Sequence, residues 1–124
     1  MSKNLESFLK KHEQISFESS CFETPQFKTF AAGLKRALKA DLKNSSLELA
    51  DFSKGHFYVS GFLKYCDTYI YFNVGDVRTT CGMMHWKNIY FRTAKNIHDY
   101  HGGENHFCKL DRLIESAEAL LNVA

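Results

Sequence analysis

The chain has 124 residues, 44% apolar and 24% charged, with eleven Phe, six Tyr, one Trp and a single Pro. That length and aromatic content exclude a disordered or collagen-like chain and predict one domain over residues 1–124 with a core of its own. The formal net charge of +2 is too small to name nucleic acid as a partner.

In chain order, Leu5, Phe8, Leu9 and His12 recur at helical spacing and predict a short amphipathic helix over about residues 3–13. A polar stretch follows, with Phe17 and Phe22 as anchors. Thr24 offers an N-cap oxygen and Pro25 a pre-set φ, so a second helix starts there. Phe27, Phe30, Ala31, Leu34, Leu38 and Leu42 carry its apolar period until Asn44-Ser45-Ser46 ends it.

From Leu47 the period changes to two. Leu47 to Phe52 reads as a first strand and Ser53-Lys54-Gly55 as a turn. His56 to Tyr65 alternates, with Phe57, Val59, Leu63 and Tyr65 on one face and His56, Tyr58, Ser60 and Lys64 opposite. Cys66-Asp67 forms a short hairpin connection, and Tyr69 to Val74 a third strand. Gly61 inside a strand signals a bulge or the close approach of another backbone. Residues 86–97 fit a helix by spacing, but the β-branched and aromatic content of Ile89 to Thr93 favours a fourth strand. Asp99 to His106 reads as a loop. Leu110, Leu113, Ile114, Ala117, Leu120 and Leu121 define a last amphipathic helix with Asp111 in its first turn. The expected fold is α+β: two N-terminal helices, a three- to four-stranded antiparallel meander, and a C-terminal helix packed on one sheet face.

No apolar run approaches the roughly 20 residues that cross a bilayer, and the N-terminus lacks the apolar core of a secretory signal. The expectation is a cytoplasmic protein without membrane contact. There, Cys21, Cys66, Cys81 and Cys108, which form no C-x-x-C pair, are buried or half-buried thiols rather than bridges or zinc ligands.

Three features can carry chemistry. The segment from His98 to His106 holds His98, Asp99, His101, Glu104 and His106, residue types that ligate metals, together with Asn105. Its spacing matches no zinc arrangement, and Gly102-Gly103 with local Asx bonding accounts for it as a structural or recognition loop, so no metal or cofactor is assigned. On the second helix, Lys28, Lys35 and Lys39 nearly superimpose at about 100° per residue, with Arg36 and Lys43 beside them. This stripe either faces solvent or meets phosphates or an acidic protein surface. On the sheet, His56, Tyr58, Phe62, Tyr69 and Tyr71 oppose the core-facing set. They are suited to stacking bases, to a protein interface, or to cover by the N-terminal segment or a second subunit in a homodimer.

Enzyme motifs are absent: no G-x-S-x-G, no phosphate-binding glycine loop and no G-x-G-x-x-G. Asp76 and Arg78 read as a structural ion pair. The stretches Phe52 to Phe62, Asp76-Val77-Arg78, Trp86, Arg92-Thr93-Ala94, and Asp99-Tyr100 with Gly102-Gly103 and Asn105 resemble small proteins of mobile elements and phages in Gram-positive bacteria. The resemblance covers about residues 50–106 and implies no catalytic residue. It implies a phage or plasmid setting, in which such proteins are often host-defence inhibitors, including anti-CRISPR proteins. The leading expectation is therefore a non-enzymatic module that binds and blocks a protein partner, a host defence (CRISPR-type) nuclease or complex. Its contact residues are Lys28, Lys35, Arg36, Lys39, Lys43, Tyr58, Tyr69, Tyr71, His98, Asp99, His101 and Asn105. Two alternatives stand beside it: single-stranded nucleic-acid binding through the aromatic face and basic helix, and a metal-dependent hydrolase or nuclease built on residues 98–106.

Overall fold

A computed structural model describes residues 2–12, 25–54, 58–74, 88–99 and 103–123. Within them the order is α1 (Lys3–Lys11), α2 (Pro25–Leu42), β1 (Glu48–Lys54), β2 (Val59–Tyr65), β3 (Thr68–Val74), β4 (Asn88–Ala94), β5 (His106–Lys109), a 3-10 turn (Leu110–Arg112) and α3 (Leu113–Leu121). The strands form one antiparallel sheet in sequence order, β1-β2-β3-β4-β5.

The class and the meander are as expected, but the sheet has five strands rather than three or four. The fifth, His106–Lys109, begins where a loop was read. Four residues are few for a period-two signal, and the two inward positions, His106 and Cys108 opposite Phe91 and Ile89, are not strongly apolar, while the large apolar Phe107 faces the other way. The last helix is also split. Asp111 lies in the 3-10 turn, and Glu115 takes the acidic place in the first α-helical turn. Ser53 and Lys54, read as a turn, extend β1 instead, because each has a partner on β2: Ser60 and Val59. The segment 88–94 is a strand, and α1 ends at Lys11 with His12 as its C-cap. Thr24, His56, Phe57, Asp76, Arg78, Trp86, Cys21 and Cys81 lie outside the described residues.

All three helices bury their apolar stripes on one face of the sheet. Leu5 and Phe8 of α1, Phe27, Phe30, Leu34 and Leu38 of α2, and Leu113, Ile114 and Ala117 of α3 share a cluster with Val59, Leu63, Ile70, Phe72, Val74, Ile89 and Phe91. Polar clamps hold the layer in register. Asp41, buried on α2, accepts hydrogen bonds from the backbone amides of Asn4 and Leu5 at 3.0 and 2.8 Å. It thus caps the start of α1, where Ser2 makes no side-chain cap. The Ser2 hydroxyl instead donates to Glu115 at 2.8 Å, and Ser45 donates to Glu118 at 2.8 Å, tying α3 to both earlier helices.

Gly61 meets the expected close approach of another backbone, while the bulge lies on the neighbouring strand. The β1–β2 register slips at Ala50, and a Cβ at Gly61 would run into the Asp51 carbonyl oxygen and lie 2.8 Å from Phe72 Cζ. The bulge and the ring occupy the space that any side chain would need. Cys66-Asp67 makes the tight β2–β3 connection, with Cys66 at a left-handed φ of 53°. Among the described residues no helix is long and apolar enough to cross a membrane.

Candidate functional site

The five α2 cations all face solvent, but they do not form a single patch. Lys28 and Lys35 lean toward β1, where Lys35 Nζ lies 5.7 Å from the centre of the Phe52 ring. Together with Ala31, Ala32, Phe52 and Lys54 they line an open groove of about 520 Å³ between α2 and the edge of the sheet. Two alanines in a row on α2 leave the room for it. Arg36 turns the other way, into a second groove of about 380 Å³ between α1 and α2, beside Lys11, His12 and Gly33. Lys39 and Lys43 continue the exposed flank toward the C-terminal end of the helix. Among the described residues, none of the five has an ion-pair partner; the ion pair seen there joins Glu6 and Lys10 of α1. Asp41, the acidic side chain of α2, lies on its buried side and is committed to α1.

The aromatic face lies on the opposite side of the sheet, away from the helices. Period-two alternation puts Phe62, Tyr71 and Arg92 in one row across β2, β3 and β4, with Ser60, Asn73, Tyr90 and Phe107 in the next. The rings form a ladder: Phe62 to Tyr71 at 5.1 Å, Tyr71 to Tyr90 at 6.2 Å, and Tyr90 to Phe107 at 6.5 Å between centroids. The Arg92 guanidinium lies over the Tyr71 ring at 4.3 Å, and Lys64 over Tyr69 at 5.7 Å.

This face is closed at its centre. Phe62 is 1% exposed, and Tyr71, expected as a contact residue, is buried and receives a hydrogen bond from Asn73 Nδ2 at 3.1 Å. Tyr71 therefore holds the face together and does not present a ring to a ligand. Tyr69 is half-buried; among the described residues only Tyr58, at 42%, and Phe107, at 64%, are large exposed apolar residues. Burial, and then the neighbouring Tyr71 with its hydrogen bond, raise the Tyr90 hydroxyl above its ordinary 10.0, with Arg92 pulling the other way. Arg92 is 5% exposed, and its Nη2 has no hydrogen-bond partner among the described residues.

The third candidate folds on itself. His98 and Asn105 are exposed; the His98 amide donates to Asn96 Oδ1 at 2.8 Å, and the Lys95 amide donates to Asp99 Oδ2 at 3.0 Å. Gly103 has a φ of 80°, the left-handed conformation that favours glycine. His101 lies outside the described residues. Among the described residues no group of three His, Cys, Asp or Glu converges on a metal-sized site. Of the described thiols, Cys66 departs from expectation by being exposed, while Cys108 is half-buried as expected, and burial pushes its thiol up to about 11.

The structure thus separates residues that were expected to act together: the α2 cations sit on the helix side, and Tyr58, Tyr69 and Tyr71 on the other. It adds Phe52 and Lys54, which a turn at Ser53-Lys54 would have carried away from α2. It also adds Arg92 and Phe107. The alternation of Ile89 and Phe91 already implies a second-face position for Arg92, whereas Phe107 required the fifth strand. Comparison with protein-family models, with curated proteins and with solved structures found no match to this chain, so its function is read from the chemistry of its own surfaces.

Proposed function

We propose that the protein is a non-enzymatic binding module that docks through the basic flank of α2 onto an acidic surface of a macromolecular partner. One observation carries this reading: Lys28, Lys35, Arg36, Lys39 and Lys43 all face solvent, and none is neutralised by an ion pair among the described residues. Like charges three and four residues apart on a helix disfavour it slightly, so an acidic partner relieves a cost that the free protein carries. The partner class that the sequence resemblance implies is a host defence nuclease. A cationic helix is complementary to the acidic, metal-binding side of such an enzyme rather than to its cationic nucleic-acid channel.

A second reading is favoured by Lys35 over Phe52, since single-strand binders combine cations with aromatic rings in this way. Fluorescence anisotropy separates the two, using labelled poly-glutamate and labelled oligo-dT of matched length at about 50 and 200 mM salt. The expected result is poly-glutamate binding that weakens with salt and falls at least about tenfold, or 1.4 kcal/mol, in Lys35→Glu with Lys39→Glu. Preferential oligo-dT binding with the same dependence on these lysines moves the assignment to nucleic acid. Binding of neither probe overturns both readings.

A further inference from the structure

The groove beside α2 has a floor that the cations alone do not explain. Its lower wall is β1, an edge strand, and among the described residues no strand pairs with its outer side. An unpaired edge is a row of backbone donors and acceptors ready to receive an extended chain. The β1 side chains sort by face. Leu49, Phe52 and Lys54 share the helix side with Leu63, Gly61 and Val59, while Glu48, Asp51 and Ser53 share the other side with Lys64, Phe62 and Ser60. A strand laid along β1 would therefore aim every second side chain up at Lys28 and Lys35 and the alternate ones down beside Glu48 and Asp51.

We propose, resting on the reading above, that this groove takes an extended acidic segment of a protein partner by strand addition to β1, with carboxylates at alternate positions facing Lys28 and Lys35. Charge decides the occupant. A second copy of β1 would bring only Leu49, Phe52 and Lys54 to the helix side, adding a cation where an anion is needed. The small side chains of Ala31 and Ala32 leave space above the added strand, and Phe52 offers an apolar surface to the stems of its acidic residues. The bulge at Ala50 bends the edge, so pairing runs along Asp51 to Lys54 rather than the whole strand.

The test uses the full chain and a labelled peptide with Glu at every second position and Thr or Val between. Two derivatives are N-methylated, one at the Glu amides and one at the intervening amides. In an added strand, one alternate set of amides points at β1 and the other away. One derivative is therefore expected to lose at least about tenfold in affinity and the other to bind like the parent. Lys28→Glu with Lys35→Glu, both at exposed positions, is expected to weaken the parent peptide at least about tenfold with an unchanged circular dichroism spectrum, whereas Lys64→Glu on the opposite face leaves binding unchanged. If both derivatives bind like the parent while the lysine dependence persists, strand addition is wrong and the basic docking surface stands. Tighter binding of oligo-dT through the same lysines, or self-association through β1 in sedimentation, also overturns the proposal. If no acidic probe binds, the broader reading falls with it.

Discussion

On the covered face of the sheet, Val59, Leu63, Ile70, Phe72 and Ile89 are fully buried against apolar residues of three helices. On the other face, alternate residues of the same strands make a mixed set: Phe62 and Tyr71 are as deeply placed, yet a buried guanidinium, an amide and several phenols lie among them. The comparison teaches that burial alone does not mark a core. The helix-covered face gains its stability from apolar transfer and close packing. The second face is held by ring contacts and cation–π stacking around the buried Arg92 guanidinium, whose Nη2 has no hydrogen-bond partner among the described residues. The exposed cations of α2 lie on the helix side of the sheet, Lys28 and Lys35 beside β1 and Arg36 toward α1.

The contrast is broken most severely by Phe72→Ala, which leaves a cavity under α2 and beside Gly61. A loss of about 3–5 kcal/mol is expected in urea denaturation, against less than about 0.5 kcal/mol for Phe107→Ala at the open margin. Next comes Asp41→Ala. It strips α1 of its cap and is expected to cost about 2–3 kcal/mol, with Asn retaining part of the effect because it still accepts one hydrogen bond.

Arg92→Met sharpens the comparison by going the other way. Removing a buried cation whose Nη2 has no partner is expected to leave stability unchanged or raise it by about 1 kcal/mol, whereas a loss larger than that would show that the guanidinium is worth more than its burial penalty. Cys108 packs against the covered face and Cys66 lies in an exposed turn. The folded Cys108 thiol titrates near 11 and the unfolded one near the ordinary 9.0. Its stabilising contribution is therefore fully present below pH 9 and lost as the pH rises toward 11. Cys108→Ala is expected to flatten that alkaline fall in melting temperature. At pH 8, alkylation mapped by mass spectrometry is expected to label Cys66 well before Cys108. The smallest expected effect on stability, within about 0.5 kcal/mol, belongs to Lys35→Glu with Lys39→Glu, whose consequence is in binding.

Much of the fold was legible because long elements repeat their signal. Six apolar residues marked α2 over five turns, and period-two runs marked β2 and β3 on either side of Cys66-Asp67. The short elements were not. β5 has two inward side chains, His106 and Cys108, neither strongly apolar, and a 3-10 turn shares its apolar spacing with the helix that follows. Of the candidate site, the cationic flank of α2 could be read from its helical spacing. Its partition between two grooves could not, because it depends on how α1 and β1 sit against the helix. The aromatic second face was legible from alternation, but the packing of Arg92 over Tyr71 was not, because it joins the paired positions of β3 and β4, 21 residues apart in the chain.

We propose that the helix–edge groove, and not the aromatic face, meets the partner. Amide chemical-shift mapping of the full chain during titration with poly-glutamate tests it most directly. Shifts are expected to concentrate at Lys28, Lys35 and Lys39 and along Asp51 to Lys54, with Tyr58, Tyr69 and Phe107 unmoved. Shifts centred on Tyr58, Arg92 and Phe107, with α2 silent, would contradict it.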